Sequence, residues 1–368
     1  MDNFYVLSDN TSEKSDKENN DDDKSDEKIQ TEQIEEIEQT EQIEQTEQVK
    51  QSDQDHLDRI ISDVKNNKSI FVVENGFNTC YISSVLMALF YKASYLDSML
   101  LSETVDPIHI YLQEIIKTKF VDRVRSGVSV MSEIMNEIRT FANVCGWLNH
   151  EELMEQQDVN EFFAFLADIT KLPQIEIQRQ TLTEGIQKND DIGKEEFLSF
   201  INLPVPGTVD EISVKELLNE WMNNNTVDIQ REIITETGQK IISNVKGLNI
   251  YKIINVPLAI GISLNRFNNE FNKRIETKID IQKRIKLHHI LDESGLKWRI
   301  HSIICHTGET SKSGHYYSVI FGSDNKWFLF NDLYVPSLQE INIKDEEMMD
   351  MIKREAVFLM YTYDDVGH

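Results

Sequence analysis

Apolar and polar positions change their rhythm three times along the chain. Beyond Phe4-Tyr5-Val6-Leu7, the apolar residues up to about residue 55 are isolated. In the Gln/Glu repeat TEQIEEIEQ, TEQIEQ, TEQVKQ they stand at Ile34, Ile37, Ile43 and Val49, and this spacing sustains no heptad seam. Ordered sequence is expected from near Leu57. A short run, Phe71-Val72-Val73, breaks at the turn-rich Glu74-Asn75-Gly76-Phe77-Asn78. The stretch CYISSVLMALFYKAS then sets Tyr81, Val85, Leu86 and Leu89 on one helical face, with Asn78 or Thr79 as its cap. Residues 108–170 read as helical in runs such as IHIYLQEIIKTKF and NEFFAFLADIT, the second closed by Pro173.

From Gln174 onward the pattern is that of strands, with one helical insert, VKELLNEWMN. IGISLNRF, WRIHSIICHT, HYYSVIFG, KWFLFND and AVFLMYTY are rich in β-branched and aromatic residues. Gly322-Ser323-Asp324-Asn325 separates two of them as a hairpin turn. Helices first and strands later predict an α+β fold with segregated elements.

Charge sharpens the division. Of 368 residues, 64 are acidic and 37 basic, a formal net charge of −27. Residues 1–60 alone hold 20 acids and 6 bases, so a sixth of the chain carries half of the excess. Too little apolar surface is present there to offset the entropy of ordering. Residues 1–56 are therefore expected to be a disordered acidic tail, solvated or docking a basic partner. The acidic balance argues against nucleic acid and against charge-driven membrane binding. No apolar stretch of about 18 residues or signal sequence is read. Three cysteines, Cys80, Cys145 and Cys305, make neither a disulfide framework nor a Cys-x-x-Cys metal pair. Isolated thiols suit a reducing compartment, so a cytoplasmic or nuclear protein is expected, without metal or other cofactor.

Candidate chemistry gathers at four places. Cys80 heads the first helix pattern, where orphan N–H groups and the macrodipole favour a thiolate and are expected to lower its pKa. His315 opens a strand after the polar loop ETSKSG, with Gly314 before it allowing close backbone approach. The next strand ends in Asn331-Asp332, and a hairpin would return these to His315, where either could fix one ring nitrogen and leave the other facing Cys80. Asn75, five residues before Cys80, could donate to an oxyanion. His301 and His306 are read as structural.

These segments resemble the ubiquitin-specific protease family of deubiquitinases. Asn75-Gly76-Phe77-Asn78-Thr79-Cys80-Tyr81 resembles its cysteine box, and Gln156-Gln157-Asp158-Val159-Asn160-Glu161-Phe162 its Gln-Gln-Asp-x-x-Glu-Phe helix. Leu264-Asn265-Arg266-Phe267, Gly314-His315-Tyr316 and Trp327-Phe328-Leu329-Phe330-Asn331-Asp332 resemble three further family segments, in the family's order over roughly 70–363. The resemblance implies a papain-like cysteine peptidase at 57–368, with a helical thumb (about 70–172), fingers (about 176–250) and an antiparallel β palm (about 251–363). It implies hydrolysis of the isopeptide bond after the C-terminal Gly-Gly of ubiquitin. Carried over, Cys80 is nucleophile, His315 base and acid, Asn331 its orienter, Asn75 the oxyanion donor and Asp332 a support of the polar network. Asp158 and Glu161 would face ubiquitin's basic tail, and Tyr316 would wall a channel that admits only glycine.

The chain departs from the family at Phe77, where the box has glycine; Gly76 is expected to take over the tight turn. Ser83 and Met87 replace the usual Asn and Gln. No cysteine lies between 176 and 250, so the fingers are expected to be reduced and zinc-free. Two other readings follow from these departures: a catalytically inactive ubiquitin-binding module, or a protease for another ubiquitin-like modifier.

Overall fold

The computed structural model describes residues 70–364, apart from 103, 105, 149–153, 184–193, 235–237, 269–272, 311–312 and 323–324. The described residues pack as one unit; the acidic segment at 1–56 lies outside them. No described helix is long and apolar enough to cross a membrane.

The first helix, α1 (Cys80–Phe90), is buried at every position. The face of Tyr81, Val85, Leu86 and Leu89 predicts an amphipathic helix. Instead α1 is the axis of the helical half, apolar enough all round to be enclosed on every side. Around it stand α2 (Ser98–Leu101), α3 (Pro107–Ile115), which runs through a π-helical turn at Ile116–Val121 into α4 (Asp122–Arg125), α5 (Ser132–Val144) and α6 (Val159–Ile169). Pro107 and the cap of Asp106 on the Ile108 amide fix the start of α3. The buried face of α5, Met135, Ile138, Arg139 and Ala142, has the spacing of one helical stripe with an arginine in it. Phe162 of α6 meets Tyr81 edge-on at 5.3 Å between centroids.

The strands are β1 (Ile175–Thr183), β2 (Lys194–Leu198), β3 (Ile201–Pro204), β4 (Glu211–Ser213), β5 (Asn225–Ile234), β6 (Lys240–Ile253), β7 (Ala259–Asn265), β8 (Phe267–Asn268), β9 (Lys273–Arg274), β10 (Lys278–Asp280), β11 (Arg284–His289), β12 (Asp292–Thr310), β13 (Ser313–Phe321), β14 (Trp327–Phe330), β15 (Leu338–Ile341) and β16 (Ala356–Tyr363). The helical insert forms as read, as α7 (Val214–Asn223), its start closed by a capping box between Ser213 and Glu216. A second helix, α8 (Glu346–Glu355), was not expected among the strands. Its own signals are local and plain: Asp345 as cap, Glu346 and Glu347 in the first turn, Lys353 and Arg354 in the last.

One twelve-stranded sheet runs β15-β14-β13-β12-β11-β6-β1-β2, with β5 on β6 and with β16 joining β12 to β7. It is antiparallel apart from β3, which lies parallel on β7, and a single parallel bridge between β11 and β6. β16 is central, and Ala356–Tyr361 are buried without alternation; each such apolar side chain contributes roughly 1.5–3 kcal/mol. Ser302 on β12 donates to the Ala88 carbonyl at 2.7 Å and ties sheet to α1.

In the cysteine-free 176–250 region, contacts between side chains hold the strands. The Ile229 side chain presses on Gly247, where a β-carbon would stand 3.0 Å from it. Thr181 donates to Asn249 at 2.8 Å, and Trp221 stacks on Tyr251 at 4.8 Å.

Candidate active site

Cys80 is the first residue of α1 and only 3% exposed. Thr79 is the N-cap residue, yet its side chain does not cap the helix. Its Oγ1 accepts from the Gly76 amide at 2.8 Å, and its own amide donates to Asn75 Oδ1 at 3.2 Å. Asn78 donates from Nδ2 to the Met154 carbonyl. Both expected caps are thus spent on shaping the loop.

The turn is not made where expected. Phe77 and Asn78 take φ of 69° and 53°, while Gly76 is not in the left-handed region. Gly76 is required for closeness instead: a β-carbon there would lie 2.9 Å from Asn136 Oδ1.

The expected lowering of the Cys80 pKa is also overturned. Burial pushes the thiol up to about 11, and the carboxylate of Asp332 pushes the same way, against the Tyr316 backbone amide, which favours the thiolate. A helix terminus offers roughly 0.3–1 kcal/mol to an anion. Two pKa units are about 2.7 kcal/mol, so desolvation wins.

The Tyr316 amide that reaches the Cys80 sulfur belongs to the residue after His315. β13 and β14 form the expected hairpin, with Phe321 opposite Trp327 and Ser318 opposite Phe330. One step beyond that register Asn331 falls opposite Tyr317, and its side chain reaches His315, two residues further along β13. Its Oδ1 accepts from His315 Nε2 at 2.9 Å and from the Leu333 amide at 3.0 Å, which fixes which end of the amide is oxygen. Nε2 therefore carries a proton.

Asp332 Oδ1 stands 3.5 Å from the same Nε2. Its other oxygen accepts from Ser83 at 2.7 Å. Burial raises the Asp332 pKa, while His315, Ser83 and the Asn75 side chain pull it down. Cys80, Asn75, His315, Asn331 and Asp332 are thus brought together. Ser83, which sequence reasoning noted only as a departure, is part of this network.

Asp158, Glu161 and Tyr316 line one cleft of about 290 Å³. Asp158 is also the N-cap of α6, accepting from the Asn160 amide at 2.6 Å, so one of its oxygens is engaged. Glu161 is exposed. Tyr316 is 2% exposed and its ring packs on His306 at 4.5 Å. His306 is held by Gln156, which donates to Nε2 at 3.0 Å, and burial takes its pKa down to about 4. His301 is buried beside Tyr95 with its pKa likewise near 4. The reason read for Gly314 changes: with φ 143°, a β-carbon there would run into the Thr307 carbonyl and the His306 ring. A larger cavity, about 720 Å³, opens elsewhere, beside Arg274 and Arg354. Among the described residues no group of His, Cys, Asp or Glu side chains is arranged to hold a metal.

Sequence reasoning also missed what holds the two sides in place. The Val73 amide donates to Ser337 Oγ at 3.0 Å, the Ser337 amide to the Phe71 carbonyl at 3.0 Å, and the Asn331 amide to the Ser337 carbonyl at 2.8 Å. On the other flank, Glu74 caps α5 by accepting from the Ser132 amide.

The family model described as ubiquitin carboxyl-terminal hydrolase matches residues 73–361, from just before the Asn75 loop into the central strand β16. The chain belongs to that family. Among its members, ubiquitin carboxyl-terminal hydrolase 25 of Arabidopsis thaliana is 22% identical over 316 residues, covering 77% of this chain and 47% of the relative. Ubiquitin carboxyl-terminal hydrolase 17-like protein D of Mus musculus is 21% identical over 299 residues, covering 74% and 52%. This member spans about half the length of these relatives. Its fold is similar to a solved SAGA Ubp8/Sgf11/Sus1/Sgf73 DUB module bound to ubiquitin aldehyde, with TM-score 0.59 and 18% identity over 81% of this chain and 70% of that one.

Proposed function

We propose that this member is a thiol-dependent deubiquitinase that cleaves the isopeptide bond after the C-terminal Gly-Gly of ubiquitin. The observation that carries the reading is the His315–Asn331 pair at 2.9 Å, on the strand whose next amide faces the Cys80 sulfur. The likeness to hydrolases of ubiquitin supports the substrate.

In this reading the buried thiol waits protonated. His315 Nδ1 takes the Cys80 proton as the scissile carbonyl arrives, and the sulfur attacks the carbonyl carbon. Nε2–H stays on Asn331, which holds the ring, and Asp332 steadies the imidazolium so formed. The oxyanion gathers donors from Asn75 and from the start of α1. Collapse breaks the C–N bond, and the lysine amine leaves with the proton from His315. Water, deprotonated by His315, then attacks the thioester and releases ubiquitin and the thiol. Asp158 and Glu161 meet the basic tail of ubiquitin, a complementary pairing of charge, and Tyr316 walls the path of the glycines.

Ubiquitin bearing a C-terminal electrophile tests this. Under reducing conditions it should form one adduct, located at Cys80, and Cys80→Ala should lose turnover by about 10⁴-fold or more while still binding ubiquitin. No adduct on the unaltered chain would sink the reading. A second reading, ubiquitin binding without hydrolysis, is favoured by Phe77 standing left-handed where the family box has glycine; it predicts binding with neither adduct nor turnover. A matching panel of probes from other modifiers separates ubiquitin from its relatives.

A further inference from the structure

The loop that carries Asn75 to Cys80 has two consecutive non-glycine residues in the left-handed region, Phe77 and Asn78. Phe77 is 65% exposed, so no burial of its ring compensates for that backbone. Glycine adopts such a φ without strain, whereas an L side chain does so only when its surroundings impose it.

What imposes it comes from α5. Arg139 is 4% exposed, and no carboxylate among the described residues pairs with it, which is unusual for a cation. Its Nη1 donates to the Phe77 carbonyl at 2.6 Å, and its Nη2 to the Gly76 carbonyl at 3.3 Å and to Asn136 Oδ1 at 2.7 Å. Asn136, one turn earlier on α5, is the side chain that crowds Gly76. The loop is thus gripped on both sides. Arg139 holds the carbonyls of Gly76 and Phe77, and Thr79 Oγ1 holds the Gly76 amide. With Asn75 Oδ1 engaged by the Thr79 amide, the other end of the Asn75 amide is left as a donor, and Asp332 feels it.

We propose that Arg139 is a positioning residue for the reaction, holding the strained Gly76–Phe77 peptide so that Asn75 donates into the cleft beside Cys80. This rests on the deubiquitinase reading. Arg139 touches neither substrate nor reacting atoms; it acts through the loop. Displacing a donor of this kind by about an ångström costs roughly 10–100-fold in rate.

The test is a double-mutant cycle on a fluorogenic ubiquitin substrate, with Arg139→Gln and Phe77→Gly singly and together. Arg139→Gln should lower kcat by roughly 30-fold and leave KM within about twofold, because ubiquitin is bound elsewhere on the cleft. Phe77→Gly alone should stay within about twofold of the parent. In the Phe77→Gly background the Arg139→Gln loss should shrink to about threefold or less, because glycine keeps the turn without the clamp. A role confined to stabilising the fold would lower the melting temperature but show no such rescue. Should Arg139→Gln not fold, Arg139→Lys, which keeps the charge and one donor direction, should show a smaller kcat loss rescued in the same way. An unchanged kcat, a loss confined to KM, or a loss that glycine at 77 does not relieve would overturn the proposal while leaving the enzyme reading intact. A parent chain that neither turns over nor reacts with the electrophilic ubiquitin would overturn both.

Discussion

The two walls of the cleft are built on different principles. The wall of Cys80 is a loop, bent against its own preferences and held by side chains from α5. The wall of His315 is a hairpin held by a ladder of main-chain hydrogen bonds, and Asn331, just past the end of that ladder, meets the ring. Side-chain support can yield by rotating a bond. Main-chain support has nowhere to go. The same small change should therefore be felt very differently on the two sides.

Gly314→Ala is the severe case. Its β-carbon would collide with the main chain of the paired strand, at a φ of 143°. A cost of roughly 3–5 kcal/mol is expected, seen as a fall of about 10 °C in the thermal midpoint. A midpoint within a degree of the parent would show that the hairpin is as pliable as the loop.

Acid should also strike the sheet side first. His301 and His306 are held neutral, with pKa values near 4 against an ordinary 6.5. The unfolded chain takes up those protons near pH 6.5 and the folded chain does not. Stability is therefore complete above about pH 6.5 and drains away as pH falls toward 4, by up to about 3 kcal/mol for each ring. Denaturant midpoints followed across that window should fall less steeply in His306→Asn than in the parent; parallel curves would place the titration elsewhere.

Gly76→Ala is the mild counterpart. The obstacle is the tip of Asn136 at 2.9 Å, and the backbone is not left-handed there. A loss of about 1 kcal/mol is expected, or 2–4 °C. Turnover should suffer more than stability, because the displaced amide also holds Arg139. Equal losses of midpoint for the two glycines would erase the contrast.

The sheet side was the more legible in the sequence. β-Branched and aromatic residues and one turn were enough to fold β13 back onto β14 and return Asn331 to His315, because strand propensity and hairpin geometry act locally. Glu346–Glu355 carried equally local signals and was overlooked beside the surrounding strands. The loop side was legible only in its chemistry. Asn75 and Cys80 stood out as residue types, yet the partners that shape the loop lie some sixty residues away, and nothing in a buried arginine's own neighbourhood announces which carbonyls it will hold. The glycine at 76 was taken for a conformational device and proved to be a steric one. The Cys80 titration was misjudged for a related reason: a helix start is visible in sequence, while the depth at which the helix is buried is a property of everything packed around it.

Ser337 gives the last lesson. Through Phe71 and Val73 it ties the segment before the Asn75 loop to the segment after β14, and its own carbonyl holds Asn331. A short polar strap thus joins the Cys80 side to the His315 side directly, apart from the long route through the core. Any breathing of the groove that keeps this strap should pivot about it, moving the Cys80 and His315 sides together and spending its amplitude at the opposite rim, where Glu161 stands in solvent.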